Sequence, residues 1–251
     1  MPNIILLQVT TSTNDFIKRN VSTIESGTLI VAYIQTSGRG QKGNSWESEP
    51  GKNLTCSLLI KKPKIDVKEQ FFISEAVSLA IVDALEKYAT GLKIKWPNDI
   101  YYCDGKIGGI LIEHSLGSEG IDYTIIGVGV NINQQVFTSG APNPVSLHHI
   151  TGEFYDMNII TEEFGGMVEK YCEFDGSREQ LAAMHRRYLD LLYRNDGEAH
   201  QFITPDGLLF DAVIESVAPD GIITLRHIGD NTLHEYHFKE VGFVINRVRF
   251  I

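Results

Sequence analysis

Apolar and polar positions alternate in recognisable blocks along the chain. Thr28–Gln35 (TLIVAYIQ), Asn53–Ile60 (NLTCSLLI), Lys93–Trp96, Lys106–His114 (KIGGILIEH) and Tyr123–Ile132 (YTIIGVGVNI) read as strands, being short, rich in β-branched residues and bounded by turn formers. Val67–Ala89 is apolar on most sides and stops at Gly91, the pattern of one long, deeply buried helix. Shorter helices are expected to start at Thr13 and Thr161 as N-caps. Ser177-Arg-Glu-Gln180 has the capping-box spacing, and the helix behind it sets Leu181, Met184 and Tyr188 on one face. After about Tyr193 the pattern becomes short β runs divided by Pro205-Asp206-Gly207, Pro219-Asp220-Gly221 and Gly229-Asp230-Asn231, as in a small all-β barrel. The pattern therefore divides the chain into residues 1–193, α+β or α/β, and residues 194–251, all-β, joined near Arg194-Asn-Asp-Gly197.

Composition narrows the class. The chain has 251 residues, 43% of them hydrophobic, and a formal net charge of −10. No apolar run approaches the ~20 residues of a membrane span, and Met1-Pro2-Asn3 does not open a secretory signal. Three widely spaced cysteines, Cys56, Cys103 and Cys172, form no CxxC pair, which suits a reducing cytoplasm rather than a disulfide framework or thiolate zinc site. The acidic balance argues against a nucleic-acid partner, whose phosphates call for basic protein surface.

Three clusters could carry chemistry. Gly38-Arg-Gly-Gln-Lys-Gly-Asn-Ser-Trp46 matches G-x-G-x-x-G literally, but Pro50-Gly51 follows at once and leaves no helix for a dinucleotide fold. The segment is either a surface hairpin or an anion loop, in which glycine N–H groups, Arg39 and Lys42 converge on a phosphate. Trp46 would stack on a base or pack as a lid, or belong to the core. Lys95-Trp-Pro-Asn-Asp-Ile-Tyr101 followed by Lys106-Ile-Gly-Gly109 reads as a hairpin with Asp99 and Lys106 facing each other, an exposed ion pair or a catalytic one. Thr11-Ser-Thr-Asn-Asp15 offers helix caps or hydrogen-bonding groups for a neutral polar ligand. The histidines, including His148-His149 and His234-x-x-His237, have no acidic or thiolate set at ligand spacing.

Taken in order, SerThrAsn at 12–14, Gln35, GRGxxGxxW at 38–46, KWPNDIY at 95–101, KIGGILIE at 106–113 and GVGVNIN at 127–133 resemble the biotin protein ligase family. The resemblance implies an α+β fold: a mixed-sheet catalytic domain packed with helices, followed by a small SH3-like barrel. It implies ATP-dependent biotinylation of a lysine on a biotin carrier domain, through biotinyl-5′-AMP, with Mg²⁺ accompanying ATP and no ligands assignable to the metal. By resemblance, Ser12, Thr13, Asn14 and Gln35 would bind the ureido end of biotin. Gly38, Leu111, Gly109, Gly127 and Gly129 would lie along it, the last three allowing backbone approach. Arg39 and Gly40 would hold the carboxylate or phosphate, Lys106 would stabilise charge on the α-phosphate, and Asp99 would orient Lys106 or the incoming lysine. Lys42, Trp46, Asn98 and Asn131 would frame the adenylate.

Gln41 stands where many members carry a second loop arginine; it can hydrogen-bond a phosphate without neutralising it, so Lys42 is expected to compensate. Since the motifs begin by residue 5, a monofunctional enzyme without the DNA-binding module of bifunctional members is expected, cytoplasmic and compatible with a sheet-mediated homodimer. The alternatives are a lipoate or other acyl-adenylating ligase, which would make poor use of the polar set at 12–14 and 35, and a non-catalytic binding module.

Overall fold

The computed structural model describes residues 2–41, 43–141 and 143–246. Seven strands form one sheet: β1 (Ile4–Thr10), β2 (Leu29–Gln35), β3 (Leu54–Lys61), β4 (Leu92–Lys95), β5 (Asp99–Tyr102), β6 (Gly105–Gly117) and β7 (Gly120–Val130). Their order is β1-β2-β3-β7-β6-β5-β4, antiparallel except for β1 beside β2. That parallel pair needs a crossover, which α1 (Thr13–Asn20) supplies.

Both faces of the sheet are covered, and β3 shows how its sequence serves each. Leu54, Cys56, Leu58 and Ile60 point into the main core, while Leu59 joins Ile17, Ile30 and Ile125 in a smaller cluster beneath α1. The helices α2 (Phe71–Leu85), α4 (Met157–Cys172) and α5 (Arg178–Leu191) contribute to the main core; α3 (Leu147–Thr151) is a single short turn. Fourteen of the fifteen residues of α2 are buried, as an all-round apolar helix requires.

The chain then forms a five-stranded antiparallel sheet from β8 (His200–Ile203), β9 (Leu209–Val217), β10 (Ile223–His227), β11 (Leu233–Tyr236) and β12 (Gly242–Phe243), in the order β11-β10-β9-β8-β12. The fold is α+β, with this all-β unit following the mixed sheet. Phe202, Ala212, Ile214 and Leu225 continue the main core, and Trp96 Nε1 donates to the Gly221 carbonyl at 2.9 Å. No helix among the described residues is long and apolar enough to cross a membrane.

Several elements differ from the sequence expectation. The expected Val67–Ala89 helix is a 3₁₀ turn at Val67–Glu69 followed by α2, since the Asp66 carboxylate caps the turn and helix geometry ends at Leu85. Helix α4 begins at Met157 rather than Thr161, because Asp156 accepts the Asn158 N–H and starts it a turn earlier. Ser12, not Thr13, holds the N-cap position of α1, and makes no capping bond. Ser177 does cap α5, but Gln180 turns to the Asp175 N–H, so Asp175 Oδ1 takes the Ser177 N–H instead. Strand β1 was not foreseen; four apolar residues were too short a run to assign.

Candidate active site

The ends of β2, β6 and β7, the start of α1, the 38–46 loop and the β4–β5 turn surround one cavity of about 210 Å³. Its polar end is built where β1 and β2 finish in register at Thr10 and Gln35, with α1 starting above them. Gln35 Oε1 accepts the Thr13 N–H at 2.9 Å and lies 3.2 Å from its hydroxyl. Ser57 Oγ lies 2.6 Å from Thr13 Oγ1 and 2.5 Å from Asn14 Oδ1. One hydroxyl carries one proton, so the assignment that serves both short contacts has Thr13 donating to Ser57 and Ser57 donating to Asn14. Asn14 Nδ2 then donates to Glu113 Oε2 at 2.8 Å and to the Leu111 carbonyl at 3.4 Å. Ser12 Oγ and Gln35 Nε2 line the cavity with no protein partner among the described residues, which leaves them for a ligand.

Three glycines make the floor. A methyl at Gly129 would lie 2.6 Å from Trp46 Nε1, one at Gly127 3.1 Å from Asn14 Cγ, and one at Gly109 3.3 Å from Lys106 Nζ. The glycines thus admit the site's own side chains closely onto the sheet. Trp46 lies over Gly129 with its indole N–H buried and unpaired.

The glycine loop is a small hairpin. Gly40 N–H donates to the Asn44 carbonyl at 2.7 Å and Trp46 N–H to the Gly38 carbonyl at 2.9 Å; a side chain at Gly38 would collide with the Trp46 carbonyl. Arg39 is ion-paired with Asp15 and Glu113, each at 2.8 Å. Gly40 N–H and the Arg39 guanidinium are thus committed to the protein and would have to exchange partners to take a phosphate or carboxylate. Gln41 Oε1 is buried without a partner among the described residues, and Lys42 lies outside them.

At the cationic end, Lys106 Nζ and Asp99 Oδ1 pair at 2.6 Å, and the ammonium lies 5.9 Å from the Trp46 ring centre. A bulge brings this about. Tyr101 pairs with Lys106 but Ile100 with Gly108, so Ile107 is an extra residue, and Lys106 turns to the same face as Gly109, opposite Asp99. Asn98 Nδ2 donates to the Ile110 carbonyl at 2.5 Å and Ile110 N–H to the Asn98 carbonyl at 2.9 Å, which fixes the turn after the cis Trp96–Pro97 bond. Lys95 lines the same end, its ammonium over the Tyr101 and Phe243 rings. Burial pulls its pKa down, Lys106 and Arg194 assist, and Asp99 opposes.

Most sequence-assigned residues converge here. Gly38 and Asn131 do not line the cavity; Asn131 is buried, with Nδ2 donating to the Val145 carbonyl at 3.1 Å. Sequence reasoning missed Phe238 and Lys239, which line the cavity from the second sheet, and Ser57, Glu113 and Asp15, which lie outside the lining and hold Thr13, Asn14 and Arg39. The polar positions Thr55 and Ser57 inside an apolar strand were a usable signal for Ser57; nothing local marked the others. Among the histidines, His227, Asp230 and His234 bring ligand-type atoms within 4.8 Å on the β10–β11 hairpin, a grouping the sequence reading did not foresee. Their ring nitrogens already meet Tyr236 and Thr232 hydroxyls, and none of them lines the cavity.

Comparison with known proteins agrees with this architecture. Biotin protein ligase from Aquifex aeolicus, in complex with biotin and ATP, superposes with a TM-score of 0.80 at 21% identity, covering 98% of this chain and 100% of that one. Biotin--protein ligase 1, chloroplastic, from Arabidopsis thaliana is 28% identical over 238 residues, 90% of this chain and 62% of that protein. Biotin--[acetyl-CoA-carboxylase] ligase from Paracoccus denitrificans is 32% identical over 158 residues, 60% of this chain and 65% of that protein. The chain thus spans less than two thirds of the length of these curated relatives. The sequence model of the biotin/lipoate A/B protein ligase family matches residues 6–131, the stretch that holds the polar end, the glycine loop, the Lys106–Asp99 pair and the glycine floor, and the chain belongs to that family.

Proposed function

We propose that the chain is a biotin protein ligase that joins biotin to a lysine of a biotin carrier domain, of the acetyl-CoA-carboxylase type, through biotinyl-5′-AMP. The observation that carries this reading is one cavity with two chemically opposite ends on a glycine floor. Ser12, Thr13 and Gln35 form a neutral hydrogen-bonding end, Lys106 and Lys95 bring cations to the other, and Arg39 stands beside the first, sharing Glu113 with Asn14. The first end suits a ureido ring and the second a carboxylate meeting a phosphate.

In the first step a biotin carboxylate oxygen attacks the α-phosphorus of ATP and the bond to pyrophosphate breaks. Lys106, held by Asp99, stabilises charge on the α-phosphate oxygens, a preorganised role worth roughly 3–4 kcal/mol in comparable sites. Arg39 leaves Glu113 and Asp15 for the ligand's anionic centre, and Trp46 covers the adenylate. In the second step the neutral carrier lysine nitrogen attacks the acyl carbon, AMP departs with the bonding pair, and the proton lost from the nitrogen leaves with the AMP phosphate or to solvent. Magnesium accompanying ATP would supply charge neutralisation for the departing pyrophosphate. Asp99 stays paired with Lys106, whereas Asp15 and Glu113 lose their cation when Arg39 turns to the ligand and would be the carboxylates free to hold the metal.

The chain divides, on this reading, into a catalytic unit to residue 193 and a small β unit from 194. Phe238 and Lys239 from the latter complete the cavity wall, which supports a role at the nucleotide or carrier end. Mass spectrometry of a biotin carrier domain after incubation with the protein, MgATP and either biotin or lipoate tests the reading. A biotin-sized shift on one lysine, with none from lipoate, is expected; the reverse preference, or no shift in either arm, would exclude it.

A further inference from the structure

Glu47 follows Trp46 directly and faces away from the proposed chemistry, yet its carboxylate is heavily engaged. Oε1 accepts the Thr138 N–H at 2.9 Å, the Thr138 hydroxyl at 3.1 Å and Gln134 Nε2 at 3.4 Å; Oε2 accepts the Ser139 N–H at 2.8 Å. The segment so gripped leaves the end of β7, beside the Gly129 floor. It returns to clasp the Lys106 backbone on both sides, with Lys106 N–H donating to the Asn143 carbonyl at 2.8 Å and Val145 N–H to the Lys106 carbonyl at 3.0 Å. Gln134 reinforces the grip, its Oε1 accepting the Glu49 N–H at 3.0 Å and Asn53 Nδ2 at 2.5 Å. Among the described residues no backbone hydrogen bond joins the glycine loop to this segment, so these side-chain bonds are what tie one to the other.

We propose that Glu47 is a positioning residue. Its carboxylate latches the segment after β7 onto the glycine loop, so that Trp46 is held on Gly129 while the far end of the same segment holds Lys106. The latch would keep the labile acyl-adenylate enclosed until the carrier lysine arrives; this last clause alone rests on the ligase reading. A carboxylate suits the task because four donors converge on it, two of them backbone N–H groups that only an acceptor can satisfy. The hydrogen bonds from Ser139 and Thr138 also hold the Glu47 carboxyl below its ordinary value, against the upward pull of its partial burial.

Two variants test the latch, Glu47→Gln, which keeps the shape and turns an amide N–H₂ towards donors, and Thr138→Val, which removes one donor. Acrylamide quenching of tryptophan fluorescence reads Trp46 without requiring activity, because the other tryptophan, Trp96, is 2% exposed. Quenching should rise at least about twofold in both variants, more in Glu47→Gln, with the thermal unfolding midpoint unchanged. With biotin and MgATP, the ratio of AMP released free to carrier biotinylated should rise about tenfold in Glu47→Gln, the adenylate escaping to water. Unchanged quenching and an unchanged ratio would overturn the latch. So would adenylate formation and transfer falling in parallel with a lowered midpoint, the mark of a merely structural residue. Should the unaltered protein release no pyrophosphate with biotin, the ligase reading fails while quenching still decides the latch.

Discussion

Gly129 has no room for a side chain because the Trp46 indole lies on it, and a methyl there would sit 2.6 Å from the indole nitrogen. Gly129→Ala should therefore push the loop off the floor, costing ~1–3 kcal/mol if the ring stays. The expected outcome is biotin-dependent pyrophosphate release reduced at least about tenfold with circular dichroism unchanged; retained release would show that the ring's position does not matter. Ser57 acts through neighbours, linking Thr13 to Asn14. Ser57→Ala removes one bond from each side, and a loss of ~1–1.5 kcal/mol predicts biotin affinity about tenfold weaker by calorimetry. Lys106→Met should lower the adenylation rate by roughly 10²–10³ in single turnover, with biotin affinity much less affected, since the ammonium matters most where charge develops. At this scale the sequence spoke clearly about residue types and only partly about partners. Lys106 and Asp99 could be paired by reading across a hairpin, whereas Arg39 gave no hint that Asp15 and Glu113 already neutralise it.

The elements hold these residues by register. The bulge at Ile107 turns Lys106 towards the cavity, a feature that no alternation pattern in KIGGILIE discloses, because a bulge is defined by the partner strand. Helices α2 and α5 are tied by an unusual pair, the fully buried Glu75 and the part-exposed His185, with ring nitrogen and carboxylate 2.8 Å apart. The hydrogen bond that His185 donates to Glu75 raises the imidazole above its ordinary 6.5, against the pull of burial, and burial raises the Glu75 carboxyl. A raised histidine contributes stability that is fully present below 6.5 and lost as pH climbs through its folded value. Urea midpoints at pH 6 and pH 8 should therefore fall for the native chain and fall less for His185→Gln, which keeps a polar contact but does not titrate; equal slopes would refute the linkage. Helix α2 was legible because it is apolar on every side. Its true start was not, since Asp66 and Gln70 divide the run through local backbone geometry.

At the scale of the whole molecule, one core runs beneath both sheets, and the contact between them lies against the cavity. Trp96 Nε1 donates to Gly221, Trp96 meets Phe238 edge-on, and Phe71 packs where Gly221 has no side chain. Trp96→Phe should cost ~1 kcal/mol or somewhat more, because it leaves the Gly221 carbonyl unpaired, and should weaken ATP binding through Phe238 and Lys239 while sparing biotin. Calorimetric titration of each ligand separates these effects, and equal losses for both would contradict the assignment. By itself the sequence determined the α+β organisation, the run of short strands that follows the last helix, and the residue types that gather round the cavity. Those features rest on periodicity, turn formers and short motifs, all of which act between near neighbours. Only the tertiary structure decided that Phe238 lines the cavity, that Ser57, Glu113 and Asp15 hold residues that line it, that Glu47 grips the segment after β7, that Asn131 does not line it, and that Arg39 is already paired. These contacts join positions that strand order and a one-residue bulge bring together, and pairing across a sheet leaves no trace in the local pattern of either strand.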